Sequence, residues 1–155
     1  VPEYGPERMG APITAYNRIS DEPITIHSNI YNPDYVAVVD ETLIGSIDVV
    51  AGLDDSGGLI VNTPDDPMTI GKKIKDYVGA IYTIDARSIS EGELGRYFPN
   101  IPMLGAVVKV TGMMDEIFFV EAMEKSLRHK FKDKPKVVDG NIRALRRSMK
   151  EVKGI

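Results

Sequence analysis

The chain has no cysteine and only two histidines, His27 and His129. The first absence excludes a disulfide scaffold, a thiolate zinc site, an iron–sulfur cluster held by this chain and cysteine nucleophile chemistry. The second disfavours a multi-histidine metal site within one copy. Aromatic residues are scarce, at 7%, and the longest uninterrupted apolar runs, such as Tyr35 to Val39, are far too short to span a bilayer. No membrane partner is expected. The opening residues do not read as a signal peptide or an Arg-rich presequence, and the expected location is cytoplasmic. What is present suffices for one ordinary core: 155 residues, of which 43% are hydrophobic and 27% charged.

The formal net charge of −4 hides an asymmetry. Residues 1–120 hold 8 Lys+Arg against 18 Asp+Glu, whereas residues 121–155 hold 11 against 5, so a basic segment follows an acidic body. Such a segment is read first as the solvated face of amphipathic helices, and otherwise as a surface for an anionic partner. A sequence pI of about 5.2, with no exposed aromatics interleaved among the basic residues, argues against nucleic acid.

Periodicity changes twice along the chain. Between Ile13 and Ile30 apolar and polar residues alternate on either side of Ser20-Asp21-Glu22-Pro23, a pattern that predicts a β-hairpin at the edge of a sheet. The runs Tyr35–Val39, Leu59–Val61 and Ala80–Ile84 then predict strands buried on both faces, followed by Asp40, Asn62 and Asp85. Crossover helices are expected over about Thr42 to Leu53 and Thr69 to Val78, although Gly45 and Gly71 weaken both. The last third is helical. Asn100 caps a helix stopped by Gly112, and Asp115 caps a second with Ile117, Val120, Met123, Leu127 and Phe131 on one face. A third carries the stripe Val138, Ile142, Leu145, Met149 and Val152, with Arg143, Arg146, Arg147, Lys150 and Lys153 pointing elsewhere. The predicted fold is α/β, a Rossmann-like three-layer domain with a mostly parallel sheet, a β-hairpin and C-terminal helices.

Reactive constellations are absent: there is no G-x-S-x-G elbow, no Walker-type phosphate loop and no H-E-x-x-H motif. The pairs Asp54-Asp55 and Asp65-Asp66 sit in Gly/Pro-rich loops and are read as turn and cap residues. His27 is expected to face solvent or a partner. The opening, Pro2 to Pro12, is stiff and polar, with three prolines and two glycines in eleven residues, and Tyr4, Glu7 and Arg8. It suits a site or an interface; equally, it suits a rigid connection in which Glu7 and Arg8 are paired.

The segments Tyr4-Gly5-Pro6-Glu7-Arg8-Met9-Gly10-Ala11-Pro12 and Asn17-Arg18-Ile19-Ser20-Asp21-Glu22-Pro23-Ile24 resemble the gamma subunit, or equivalent domain, of the 2-oxoacid:ferredoxin oxidoreductases, the pyruvate type above all. So do Pro33-Asp34-Tyr35-Val36, Val61-Asn62-Thr63, Asn100 to Ala106 and Asn141 to Leu145, in register over essentially the whole chain. Family members ordinarily begin with a strand and a Gly-rich turn leading into a helix. This sequence starts after that unit, so residues 1–155 are expected to be a single gamma-type domain incomplete at its N-terminus, with two strand edges left open inside the sheet unless they belong to a longer polypeptide or another chain supplies the strand.

The resemblance implies a component of a complex that oxidatively decarboxylates pyruvate, or a relative such as a branched-chain 2-oxoacid or oxalate. Thiamine diphosphate, Mg and [4Fe-4S] clusters would lie on alpha, beta and delta type subunits, with ferredoxin as electron acceptor and coenzyme A as acyl acceptor. No cofactor is expected on this chain alone, and no catalytic residue. Tyr4, Gly5, Arg8 and Gly10 are the candidate substrate, coenzyme A or interface residues, Arg8 offering a bidentate contact to phosphate or carboxylate. The alternative is a non-catalytic α/β binding module that engages an acidic partner through its basic C-terminal helix.

Overall fold

The computed structural model describes residues 10–154. Three parallel strands, β1 (Tyr35–Val38), β2 (Gly58–Asn62) and β3 (Ala80–Ile84), form the sheet, and β4 (Lys153–Gly154) closes against β3 in the antiparallel sense. Five helices accompany them: α1 (Pro67–Lys73), α2 (Ala86–Leu94), α3 (Asn100–Thr111), α4 (Glu116–Lys130) and α5 (Pro135–Glu151). Among the described residues, no helix is long and apolar enough to cross a membrane.

Every residue of β2 is buried, as expected of the middle strand of a parallel sheet covered on both faces. Its alternation divides the core. Leu59 and Val61 join Val38, Leu53, Ile70 and Ile81 under α1 and the 41–53 connection, while Ile60 joins Ile84, Ala86, Ile89, Met103, Ala106 and Ala144 under α2, α3 and α5. Outside that layer α4 packs on α3 and α5 through Phe119, Val120, Leu127, Val138, Ile142 and Leu145. The architecture is the three-layer α/β arrangement that the apolar runs foretold, and all three runs are strands.

Four local expectations are corrected. No strand occurs between residues 10 and 34; only Ala15 makes a single bridge. The turn itself forms, with Glu22 N–H donating to Ser20 Oγ at 3.0 Å and the Arg18 guanidinium donating to the Ile26 carbonyl at 3.3 Å. A ladder does not follow because Ile13, Ile19, Ile24 and Ile26 are all exposed, and two strands without a buried face are marginal in water. The second correction concerns residues 42–53, which form one 3-10 turn (Glu41–Leu43) and then irregular turns. Gly45 and Gly52 take positive φ, 90° and 73°, which a helix cannot use, and a β-carbon at Gly52 would overlap the Tyr31 carbonyl oxygen. Third, on α4 the buried stripe is Phe119, Val120 and Leu127 with Met123 and Phe131 partly buried, whereas Ile117 stands in solvent beside Phe118.

Fourth, no open edges run through the sheet: Tyr35 to Val38 pair with Gly58 to Val61, and Gly58 to Asn62 with Ala80 to Ile84, in consecutive order. The expectation placed an absent strand in the middle; the observed register joins the neighbours directly.

Candidate functional site

Of the four residues singled out near the start, Tyr4, Gly5 and Arg8 lie outside the described residues. Gly10 is exposed, has φ 90°, and presents no atom within 4 Å of where a β-carbon would stand. Its glycine identity is therefore a matter of backbone conformation, which favours a residue without a β-carbon.

Open parallel sheets gather ligands outside the carboxyl ends of their strands, where loops converge. Here the three polar residues that follow β1 and end or follow β2 and β3 all meet. Asp40 Oδ1 accepts from Thr42 N at 3.0 Å and from Thr42 Oγ1 at 2.7 Å, and these bonds hold its carboxyl below the usual carboxylate range. Asp85 caps α2 by accepting from Ser88 N at 2.9 Å. Asn62, 8% exposed, joins three segments: its Nδ2 donates to the Val39 carbonyl at 3.0 Å and to the Tyr97 hydroxyl at 3.3 Å, and its Oδ1 accepts from Ala86 N at 3.0 Å. Each residue satisfies backbone groups that a strand end or helix start would otherwise leave orphaned.

Beside them opens a crevice of about 350 Å³ lined by Thr63, Pro64, Asp65, Thr83, Asp85, Glu151 and Lys153. Its acids and Thr63 are already engaged. Thr63 Oγ1 donates to Glu41 Oε2 at 2.7 Å, and Lys73 Nζ donates to Asp65 Oδ2 at 2.9 Å. No histidine or nucleophile with an adjacent base stands there, so the crevice offers binding geometry without an acid–base pair. The carboxylate pairs behave as their loops suggested. Asp66 caps α1 through Thr69 N at 2.8 Å, and Asp54 closes a turn on Ser56 N at 2.8 Å. Hydrogen bonds from those partners keep both acids ionised to lower pH than a free aspartate. His27 is exposed. Among the described residues, no group of three or more His, Cys, Asp or Glu could hold a metal ion.

At the opposite, amino end of β1 and β2, a groove of about 420 Å³ is lined by Ile19, Asp34, Tyr35, Asp54, Ser56, Gly57, Thr111 and Met113. Exposed Met113, Met114, Ile117 and Phe118 continue the chain from its rim. Apolar side chains in such number at one corner have the composition of a protein contact.

The basic C-terminal helix is partly spoken for. Glu93 on α2, with a side chain 18% exposed, accepts from Arg143 Nε at 2.8 Å and Arg147 Nη1 at 3.1 Å, and Arg147 also reaches Glu151 at 2.8 Å. The Arg143 bond, then the Arg147 bond, holds the Glu93 carboxyl below its ordinary value. Because the folded-state value is depressed, this stabilisation is complete above the unfolded carboxylate range, near 4.5, and is lost as pH falls through the lower folded value. We expect Glu93→Gln to cost about 1 kcal/mol at pH 7 and progressively less as pH falls below the ordinary carboxylate range. Denaturant melts across that range check it; a cost independent of pH would refute the assignment.

Sequence reasoning missed α2 and the loop after it. The signals were Asp85 followed by Ser88, and Gly95, which takes the left-handed C-cap conformation with φ 71°. It also missed that Arg87 and Arg96 each lie 4.3 Å over an aromatic ring, of Tyr97 and Phe98 respectively.

Comparison with known proteins gives these features a family. The profile of the family described as pyruvate ferredoxin/flavodoxin oxidoreductase matches residues 1–151. "Pyruvate synthase subunit PorC" of Thermotoga maritima is 47% identical over 154 residues, which is 98% of this chain and 77% of that protein. The "Pyruvate/ketoisovalerate oxidoreductases common subunit gamma" of Thermococcus kodakarensis is 40% identical over 130 residues, 84% of this chain and 68% of that one. The crystal structure of pyruvate oxidoreductase subunit PORC from Thermotoga maritima superposes with a TM-score of 0.84 at 45% identity, covering 99% of this chain and 79% of the other. The chain belongs to the pyruvate ferredoxin/flavodoxin oxidoreductase family.

Proposed function

We propose that this chain is the gamma component of a 2-oxoacid:ferredoxin oxidoreductase, acting as one gamma-type domain within a complex that oxidises pyruvate. The observation that carries the reading is 47% identity, over 98% of the chain, to a relative named as a pyruvate synthase subunit. A relative whose name joins pyruvate and ketoisovalerate extends the candidate substrates to branched-chain 2-oxoacids. In the overall reaction the bond between the carboxylate and the 2-oxo carbon breaks, carbon dioxide leaves, a thioester forms with coenzyme A, and two electrons pass to ferredoxin. Thiamine diphosphate, when bound in the complex, supplies the carbanion stabilisation that decarboxylation needs.

This chain's own residues fit a supporting part. With no cysteine it has no thiolate to give a cluster, and the acids of its crevice are engaged in caps and ion pairs. Its contribution is a rigid α/β body with two exposed apolar areas, the 13–26 arm and the Met113 to Phe118 corner, suited to burial against the alpha, beta and delta type subunits. We propose that the segment Tyr4 to Pro12 contacts substrate, coenzyme A or a neighbouring subunit, through Arg8 with Tyr4, Gly5 and Gly10.

Affinity purification of the tagged chain from the cell that makes it tests the subunit reading. It should bring down iron–sulfur-coloured partner subunits that reduce ferredoxin with pyruvate; a colourless monomer would overturn it. Within an active complex, Arg8→Lys keeps the charge and loses the planar fork. We expect a rise in the Michaelis constant for coenzyme A or the 2-oxoacid, and unchanged kinetics would remove Arg8 from the site.

A further inference from the structure

Arg128, Arg143 and Arg147 each donate to a carboxylate at 3.0 Å or less. The two arginines at the carboxyl end of the sheet do not. Arg96 makes no ion pair with any described residue, and Arg87 reaches only Glu91, at 3.6 Å. Both lie instead over aromatic rings, at 4.3 Å from the centroids of Phe98 and Tyr97. A guanidinium in that position keeps its in-plane N–H donors available to an acceptor from outside.

The loop that presents Arg96 and the two rings is fastened from within. Gly95 turns the chain out of α2, Tyr97 is held by buried Asn62, and Phe98 N–H donates at 3.2 Å to Ser90 Oγ, on a fully buried serine. Pro99 then accepts from Met103 N at 2.8 Å as α3 begins. Two buried polar side chains thus position an exposed loop whose rings remain 40% and 42% accessible.

We infer that Arg96, Arg87, Tyr97 and Phe98 form a contact surface for a carboxylate-bearing segment of a neighbouring subunit, a step that rests on the subunit reading above. Arginine, tyrosine and phenylalanine are the side chains enriched where protein interfaces are most buried, and an exposed guanidinium whose in-plane donors no described residue fills would, once covered by a partner, ask for a carboxylate. A small ligand of several negative charges fits the place poorly. The adjoining crevice sets Asp65, Asp85 and Glu151 against Lys153 alone, and Asp40 lies close enough to Arg87 to feel its charge. A single carboxylate, delivered beside apolar side chains that cover the two rings, meets Arg96 without entering that acidic crevice.

The test uses the tagged chain in its native complex. Arg96→Glu is compared with Arg146→Glu, a reversal at an exposed α5 residue that likewise makes no ion pair with any described residue. Arg96→Glu should weaken retention of the partner subunits at least tenfold, equivalent to about 1.4 kcal/mol, and Arg146→Glu should leave it unchanged. Arg96→Gln, which removes the charge without adding repulsion, should show a several-fold loss with an unaltered melting temperature. Full retention by both Arg96 variants, or equal loss by Arg146→Glu, overturns the inference. So does an intact complex with a raised Michaelis constant for coenzyme A, which would make the surface a small-ligand site. Should the wild-type chain retain no partner at all, it is the subunit reading that fails.

Discussion

Asn62→Ala is expected to lower the stability of the domain by about 2–4 kcal/mol and its melting temperature by roughly 5–15 °C. The side chain is 8% exposed and makes three hydrogen bonds, to the Val39 carbonyl, the Tyr97 hydroxyl and the Ala86 amide. Truncation leaves the amide of fully buried Ala86 without an acceptor, and each such group costs about 1–3 kcal/mol because water cannot replace the lost partner. Asn62→Asp keeps the acceptor for Ala86 but turns a negative oxygen toward the Val39 carbonyl, so it should not rescue. Hydrogen exchange at Ala86 and Phe98 should accelerate in both variants, because the same residue fixes the start of α2 and the loop after it. A melt indistinguishable from wild type would show that Asn62 is dispensable.

An effect of similar size is expected at Gly105, in the middle of α3. A β-carbon there would overlap Ser148 Oγ and lie 3.0 Å from both Leu145 Cδ1 and the Leu145 carbonyl oxygen, so α3 and α5 approach each other through this residue. Gly105→Ala should cost about 1–3 kcal/mol and Gly105→Val more, since the backbone of α5 cannot rotate out of the way as a side chain can. Combining Gly105→Ala with Ser148→Ala removes the hydroxyl clash and leaves the carbonyl one. Partial recovery, read as non-additivity in denaturant unfolding, is the expected result. If Gly105→Val melts like wild type, the two helices are not in the contact described.

The parts of this fold that could be read from the sequence are those where one physical demand dominates. Tyr35, Leu59 and Ala80 open runs of apolar residues too short for helices, and all three are strands; burial on both faces holds for β2 alone, because β1 lies at the edge and leaves Tyr35 and Val39 exposed. Asp66 and Asp115 each cap the helix that follows, because a short acidic side chain can reach an orphan amide three residues on. The α5 stripe was equally plain: Val138, Ile142, Leu145 and Met149 are all buried. The alternation from Ile13 to Ile30 misled because period two reports extended chain, not the presence of a surface to cover. Residues 42–53 misled because Val49 and Val50 pack onto the core without helical backbone.

The candidate site was less legible. Asp40, Asn62 and Asp85 were noticed at strand ends, but their convergence depends on the parallel register, which no local pattern records. Glu93 lies on α2 and its two arginines on α5, so the pair exists only after the helices have packed. Arg96 and Phe98 are two residues apart and belonged to no motif.

The sheet described here contains no pairing between strands joined by a tight turn. β1, β2 and β3 are linked by crossovers, and β4 meets β3 only after α2 to α5 have been made. Every ladder therefore closes a long loop before it gains a hydrogen bond, which slows folding relative to helical contacts between neighbours. During synthesis Tyr82 and Thr83 stay uncovered on their outer side until Gly154 and Lys153 leave the ribosome. A growing chain arrested between α3 and α5 would present that β-edge to its neighbours, and translation speed across the helical third sets how long it does so.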